Sequence, residues 1–124
     1  MPRIVMVTSD PNNFREFAKQ LKVTPGVQIS FLKTKAEALK IASTTTPALM
    51  ILDAQPDDEA VFQMVRDLIM VNAGIPIAVV SPMSEPEFEA ASEGLGILAR
   101  LTPNPGGSEA QMLISRLKLL KTLL

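Results

Sequence analysis

Cysteine and histidine are both absent from this sequence. Without cysteine, neither disulfide bonds nor thiolate chemistry can contribute. Without histidine, the usual zinc ligand and the usual general base are missing. A hydrolase triad that depends on histidine and a histidine-ligated metal site are therefore excluded.

An excess of charge of either sign is also absent, since twelve basic and thirteen acidic residues give a formal net charge of −1. The lysines occur mainly in two stretches, 19–40 and 118–121, and neither is dense enough to follow a phosphate backbone. The sequence therefore predicts no nucleic-acid binding.

Long apolar runs are missing as well. The first run, 4–7, is too short for a signal peptide, and a membrane span needs about 20 apolar residues. We expect no membrane insertion and a cytoplasmic location. The length of 124 residues suits one domain over 1–124 with no effector domain, large enough to bury a core without disulfides or metals.

Short apolar runs alternate with longer amphipathic stretches and predict five strands. We place these strands at 3–8, 27–32, 48–53, 76–81 and 96–101. The third and fourth runs are nearly all apolar, as expected for strands that are covered on both faces of a parallel sheet. The second run alternates between apolar and polar residues, which indicates an edge strand.

The stretches between the strands begin with helix-start signals. Thr34, Ser84 and Ser108 each precede a Glu or Gln by three residues, the spacing of a capping box. Asp10 precedes a proline and is expected to cap the first helix, and Gly94 is placed to end the fourth. The resulting order of elements is βαβαβαβαβα.

Right-handed crossovers convert this order into a doubly wound α/β fold with helices on both faces of the sheet. The five-stranded, flavodoxin-like version has strand order 2-1-3-4-5 and carries its site at the carboxyl ends of strands 1 and 3. Two loops meet there in this sequence, one beginning at Thr8 and the other at Asp53.

Several segments at this edge resemble the CheY-like receiver domains of response regulators. The segment 47–53 is similar to the third strand of that family, which ends in the phosphoacceptor aspartate, and 76–81 is similar to its fourth strand. Asp10, its following proline and Arg15 resemble the start of the first helix. The resemblance covers essentially the whole chain and implies that Asp53 holds the phosphoacceptor position and Ser81 the switch position.

The chain departs from the receiver pattern where the family holds its metal. Receivers follow the first strand with two acidic residues that bind Mg²⁺, but Thr8 and Ser9 stand there, with Asp10 just beyond. Because Mg²⁺ prefers anionic oxygen ligands in tight octahedral geometry, we expect a site of Asp10 and Asp53 to bind it weakly. Asp10 is more readily explained as a helix cap than as a metal ligand.

A second departure concerns the cation that pairs with the phosphoryl group in receivers. No lysine occurs between Lys40 and Lys118, and Pro103 or Asn104 occupies the position of the family's lysine. The nearest cation is Arg100. Either Arg100 or Leu101 also falls at the position where receivers carry an aromatic switch residue. A phosphoryl group on Asp53 would therefore lack both of the charges that neutralise it in phosphoryl transfer.

The last helix carries more apolar surface than docking on a sheet requires. One stripe by helical spacing consists of Leu113, Leu117, Leu120 and Leu124. A second stripe, about a quarter turn away, consists of Met112, Leu119 and Leu123. We expect the second stripe to form an interface, as the face between the fourth and fifth helices does in receivers. The alternative is that helix ends and loops cover it.

Three functional hypotheses remain from the sequence. The first is a non-catalytic receiver-like module of two-component signalling that works through protein contacts, with a histidine kinase, a phosphotransfer protein, another signalling protein or a second copy as partner. The second is a true receiver that a histidine kinase phosphorylates on Asp53. The third, a small-ligand or nucleotide binder on the same fold, is weakest because neither loop has a glycine-rich phosphate cradle.

Overall fold

The computed structural model describes residues 3–53 and 58–123, without the side chains of 58 and 120–123. In this part of the chain, five parallel strands form a single sheet. The strands are β1 (Arg3–Val7), β2 (Gln28–Leu32), β3 (Leu49–Asp53), β4 (Ile77–Val80) and β5 (Ala99–Leu101). They lie in the order β2-β1-β3-β4-β5, and every neighbouring pair is parallel. The predicted fold class and strand order are therefore confirmed.

Helices connect consecutive strands and cover both faces of this sheet. They are α1 (Arg15–Leu21), which follows a 3-10 turn at Pro11–Phe14, α2 (Lys35–Thr44), α3 (Asp58–Val71), α4 (Glu85–Ala91) and α5 (Gly107–Leu123). Within the described ranges, no helix combines the length and the apolar character needed to cross a bilayer.

The sheet separates two apolar cores. The core beneath α1 and α5 is formed by Ile4, Met6, Phe14, Phe17, Leu21, Leu49, Ile51, Ala78, Val80, Ala99, Leu101, Ala110, Leu113 and Leu117. The core beneath α2, α3 and α4 is formed by Val5, Val7, Ala38, Ala42, Met50, Leu52, Val61, Phe62, Val65, Leu68, Ile75, Ile77, Val79 and Phe88. Successive residues of β1, β3 and β4 thus enter opposite cores, which explains why these strands are apolar apart from Arg3 and Asp53 at their ends.

Two of the three residues predicted to cap their helices do so through their hydroxyls, and the prediction for the third is wrong. The backbone N–H of Glu37 donates to Thr34 Oγ1 over 3.2 Å, and that of Glu87 donates to Ser84 Oγ over 3.3 Å. Helix α5 begins at Gly107, one residue before the predicted cap Ser108. Ser108 therefore lies inside the first helical turn, where it cannot serve as the cap.

The segment between α4 and β5 also differs from the prediction. Helix α4 ends at Ala91 rather than near Gly94, and β5 begins at Ala99 rather than at residue 96. Gly94 and Gly96 have φ angles of +83° and +66°, which other residues rarely adopt. These glycines make a turn out of residues that would otherwise have lengthened the helix and the strand.

Candidate functional site

Polar side chains stand side by side at the carboxyl edge of the sheet. The register of β1 and β3 pairs Val7 with Leu52, so Thr8 stands beside Asp53. Asp53 pairs in turn with the last residue of β4, and Ser81 comes directly after that residue. The backbones of Thr8, Asp53 and Ser81 therefore form one row along the carboxyl edge of the sheet, with Ser81 one residue beyond the position opposite Asp53, where folds of this type carry their sites.

A hydrogen bond joins the first two members of this row. Thr8 is buried, and its Oγ1 donates to Asp53 Oδ2 over 2.8 Å. The same oxygen accepts the backbone N–H of Asp10 over 3.0 Å. Both bonds fix the orientation of the hydroxyl, so a neutral donor is held against the carboxylate where receivers place an acidic residue.

Asp10 occupies the predicted capping position but does not act as a cap through its side chain. It precedes the 3-10 turn at Pro11–Phe14, and Pro11 takes the first position of that turn, as predicted. The side chain of Asp10 makes no capping hydrogen bond. The sequence therefore predicts the start of this helical segment correctly, while the predicted capping hydrogen bond of the Asp10 side chain is wrong.

A magnesium site does not fit the donors at this edge of the sheet. Within residues 3–53 and 58–123, no group of three or more Asp, Glu, His or Cys side chains could hold a metal ion. Thr8 contributes a neutral hydroxyl that already donates to Asp53. Since Mg²⁺ binds mainly through carboxylates, its own water and phosphate oxygens, the pair of Asp10 and Asp53 is a poor ligand set, and we assign no chemistry to it.

Ser81 continues the pairing of β4 beyond the end of the strand. Its N–H donates to the carbonyl of Leu101 over 2.9 Å, and its Oγ accepts the N–H of Met83 over 3.1 Å. The residue is completely buried. Its hydroxyl therefore stabilises the turn after β4.

An acidic side chain, which sequence reasoning missed, closes the loop after β5. Glu109 accepts two hydrogen bonds from Thr102, one from its N–H over 2.9 Å and one from its Oγ1 over 2.7 Å. In the same loop, the carbonyl of Pro103 accepts a bond of 3.0 Å from Asn13 Nδ2. The loop where receivers carry a lysine thus holds a carboxylate and an amide contact instead. The only sequence signal for this was an acid in the first turn of α5.

Arg100, the nearest cation in the sequence, points away from the α1 side of the sheet. Its neighbours Ala99 and Leu101 are buried beneath α1 and α5, so the side chain of Arg100 leaves β5 on the side of α4. The residue is half-buried, and its Nε is a buried donor without a hydrogen-bond acceptor among the described residues. Of the two residues predicted at the aromatic switch position, Leu101 is buried in the core beneath α1 and α5.

The structure describes part of the predicted interface on α5. Leu113 and Leu117 are buried in the core, as expected of the first stripe. In the second stripe, Leu119 is 63% exposed, while Met112 is half-buried and packs against the core. The side chain of Leu123 lies outside the described part of the chain, as do those of Leu120 and Leu124. Leu119 is thus the exposed apolar side chain that the structure offers on this helix.

Solved structures with the same fold are receiver domains. A CheY-like response regulator receiver domain protein from Methanospirillum hungatei matches with a TM-score of 0.82 and 15% sequence identity, over 100% of this chain and 99% of its own. The chemotaxis response regulator CheY4 of Vibrio cholerae matches with a TM-score of 0.78 and 17% identity, over 94% and 98%. No protein-family profile and no curated protein matches the sequence.

A third neighbour is described as belonging to a novel family of redox sensors in the streptococci that evolved from two-component response regulators. It matches with a TM-score of 0.80 and 12% identity, over 99% of this chain and 54% of its own. The resemblance to CheY-like receivers that the motifs predicted is therefore confirmed as a likeness of fold.

Proposed function

We propose that this chain is a receiver-like module of two-component signalling that works through protein contacts and not through phosphoryl transfer. The fold and the row of Thr8, Asp53 and Ser81 support the first half of the proposal. The hydrogen bond between Thr8 Oγ1 and Asp53 Oδ2 is the observation that carries the second half. It puts a neutral hydroxyl at the place where an acidic metal ligand is needed.

Electrostatics argue against a stable phosphoryl group on Asp53. A phosphoryl group adds a charge of about −1.5 to −2 at neutral pH, and phosphoryl transfer depends on metal ions and basic side chains that neutralise it. Thr8, Ser81 and Thr102 bring no positive charge to this edge, and Glu109 brings a negative one to the loop after β5. Loss of such electrostatic groups costs orders of magnitude in rate.

Loss of one chemistry is compatible with retention of the fold. The streptococcal neighbour is described as a redox sensor whose family evolved from response regulators. A fold of this kind hosts different functions because function depends on the site and not on the architecture. We infer that the present chain also keeps the receiver architecture as a scaffold for contacts, with no catalytic role.

The contact surface that we propose runs along α5 and the neighbouring edge of β5. Leu119 offers an exposed apolar side chain, and Met112 lies half-buried on the same stripe. Methionine repacks readily against different partners, and exposed apolar patches commonly mark contacts. Arg100, half-buried on the α4 side of β5, adds a cationic side chain at the edge of this surface. The partner would be a signalling protein, such as a histidine kinase or a phosphotransfer protein, or a second copy.

Phosphorylation of Asp53 remains the competing function, and one observation favours it. Asp53 is partly exposed at the end of β3, at the carboxyl edge of the sheet. Beryllofluoride, which mimics an acyl phosphate, distinguishes the two functions when ¹⁵N-labelled protein is titrated in about 10 mM Mg²⁺. We expect no saturable shifts around Asp53, because the donors there suit Mg²⁺ poorly.

The matched control for this titration is Asp53→Asn, which removes the acceptor carboxylate and keeps its size. Saturable shifts in the wild type that vanish in Asp53→Asn would establish the phosphorylated receiver and contradict our proposal. A parallel titration with ATP tests the nucleotide-binding hypothesis. Saturable shifts in the loops after β1 and β3 with ATP alone would support that function instead.

A further inference from the structure

A groove beside α1 carries positive charge that the proposed signalling surface does not use. It has a volume of about 420 Å³, and the residues that line it include Arg15, Glu16, Lys19, Lys22 and Phe31. Arg15, Lys19 and Lys22 recur at helical spacing, so they share one face of α1 and its C-terminal end. Glu16 is the one acidic residue that lines the groove together with these three cations.

The groove is open and its charges are accessible. Lys19 and Lys22 are exposed and form no ion pair with any residue in the described part of the chain. Phe31, on the edge strand β2, is exposed by 39% at the side of the groove. An exposed aromatic ring next to unpaired cations suits an occupant that is acidic and carries small apolar side chains.

The acidic counterpart of this groove is α4 of the same sequence. No lysine or arginine occurs between Arg66 and Arg100, while Glu85 and Glu89 lie one turn apart on α4 and Glu93 follows in the turn directly after the helix. All three are exposed, and none has an ion pair among the described residues. Pro86 and Ala90 lie next to them on the exposed face of the helix and supply the small apolar contacts.

A molecule cannot place its own α4 in its own groove. The groove lies at the β2 edge on the α1 face of the sheet, and α4 packs on the opposite face, where Phe88 joins the core beneath α3. Strands β2 and β5 are the two edges of the sheet, about 19 Å apart at 4.8 Å per strand. The complementary surfaces can therefore meet only between two copies.

We propose that the groove beside α1 of one copy binds α4 of a second copy, so that this chain associates head to tail through Arg15, Lys19 and Lys22 against Glu85, Glu89 and Glu93. The contact is heterologous, because different surfaces of the two copies meet, and it leaves one groove and one α4 open for further copies. Exposed ion pairs contribute little each, so the association is weak, with a Kd on the order of 1 mM at low salt.

Charge reversal on each side tests the pairing. Lys19→Glu with Lys22→Glu makes the groove acidic, and Glu89→Lys with Glu93→Lys makes α4 basic. Sedimentation velocity at about 1 mM protein and about 20 mM NaCl should show association of the wild type that disappears at about 500 mM NaCl, where charges are screened within a few ångströms. Each double variant alone should bind itself at least tenfold more weakly than the wild type does.

An equimolar mixture of the two double variants should recover the association, because each acidic surface then meets a basic one. A change of net charge alone could weaken association, so the matched control is Lys33→Glu with Lys40→Glu, which has the net charge of the groove variant but changes exposed lysines outside the groove. This control leaves the groove and α4 unchanged and should therefore associate with itself nearly as strongly as the wild type does. Circular dichroism should show that all three variants fold.

Three results would overturn the proposal: a wild type that stays monomeric at about 1 mM and low salt, a variant mixture that stays monomeric, or a Lys33 and Lys40 control that loses association as fully as the groove variant does. An association that Leu119→Glu abolishes and the charge variants leave intact would also overturn it, since the copies would then meet through α5. That last result would leave the proposed contact function of α5 standing.

Discussion

The hydroxyl of Thr8 donates a hydrogen bond of 2.8 Å to the carboxylate of Asp53, linking the ends of two central strands. We predict that Thr8→Val lowers the free energy of unfolding by about 2 kcal/mol, because hydrogen bonds to charged groups contribute about 1.5–3 kcal/mol. Thr8→Ser, which keeps the hydroxyl, should cost about 1 kcal/mol for the lost methyl group. Urea denaturation of both variants and of a double-mutant cycle with Asp53→Ala measures the pair. An absence of coupling in the cycle would show that the bond does not stabilise the fold.

Replacement of both hydroxyls by carboxylates should create the metal site that the chain lacks. Thr8→Asp with Ser9→Asp puts two acids beside Asp53, so the metal-free variant should lose about 1–3 kcal/mol of stability through repulsion and burial of charge. About 10 mM Mg²⁺ should recover most of that loss, because the ion bridges the carboxylates. Thermal melts with and without Mg²⁺ measure this effect. Thr8→Asn with Ser9→Asn is the neutral control, and equal stabilisation of both variants by Mg²⁺ would contradict the prediction.

Substitution of the second stripe of α5 separates an interface from a core. Leu119→Glu with Leu123→Glu should leave the melting temperature nearly unchanged, because Leu119 is 63% exposed, and should weaken binding to the partner or a second copy. Leu113→Ala, at a completely buried position of the same helix, should cost about 2–5 kcal/mol. Circular dichroism melts and sedimentation provide both readouts. A large loss of stability in the Leu119 and Leu123 variant would assign the stripe to the core.

The ion pair of Lys35 and Asp67 links α2 to α3 and predicts a pH effect. The hydrogen bond from Lys35, with a second from Gln63, holds the pKa of the Asp67 carboxyl below its usual value. The stabilisation is therefore complete above about pH 4, the usual range of an aspartate, and is lost as the pH falls through the lowered pKa. In an NMR titration, Lys35→Met should raise the pKa of Asp67 toward its usual value. Lys40→Met, on the same helix, should leave it unchanged, and an unchanged pKa in Lys35→Met would show that the pair does not form in solution.

Local patterns predicted most of the architecture. Runs such as 48–52 are apolar at every position because β3 is covered on both faces, and Thr34 and Ser84 cap their helices through groups only three residues away. Such signals can be read from sequence, since the interacting groups are neighbours in the chain. The sequence predicts the end of a helix at Gly94 and the start of a strand at residue 96, where the structure has a turn. Glycine is compatible with a helix end, a strand end and a turn, so it does not distinguish them.

Contacts between distant elements could not be predicted in the same way. Glu109 and Thr102 are seven positions apart in sequence, and Asn13 reaches Pro103 from the other end of the chain. The basic groove combines α1 with Phe31 of another element. These details depend on loop paths that no periodicity specifies. The resemblance to receivers located Asp53 but gave no indication that Thr8 would bind it.

Helix α4 is attached to the rest of the protein mainly through one side chain. Phe88 is the one buried residue among its seven, and its ring packs against that of Phe62 with centroids 5.5 Å apart. Positions that do not support the core tolerate substitution, since surface changes usually alter stability by less than about 0.5 kcal/mol. Substitutions at the exposed positions of this helix can therefore accumulate with little effect on folding. Homologues that keep the aromatic anchor and vary the glutamates would be free to acquire new recognition specificities.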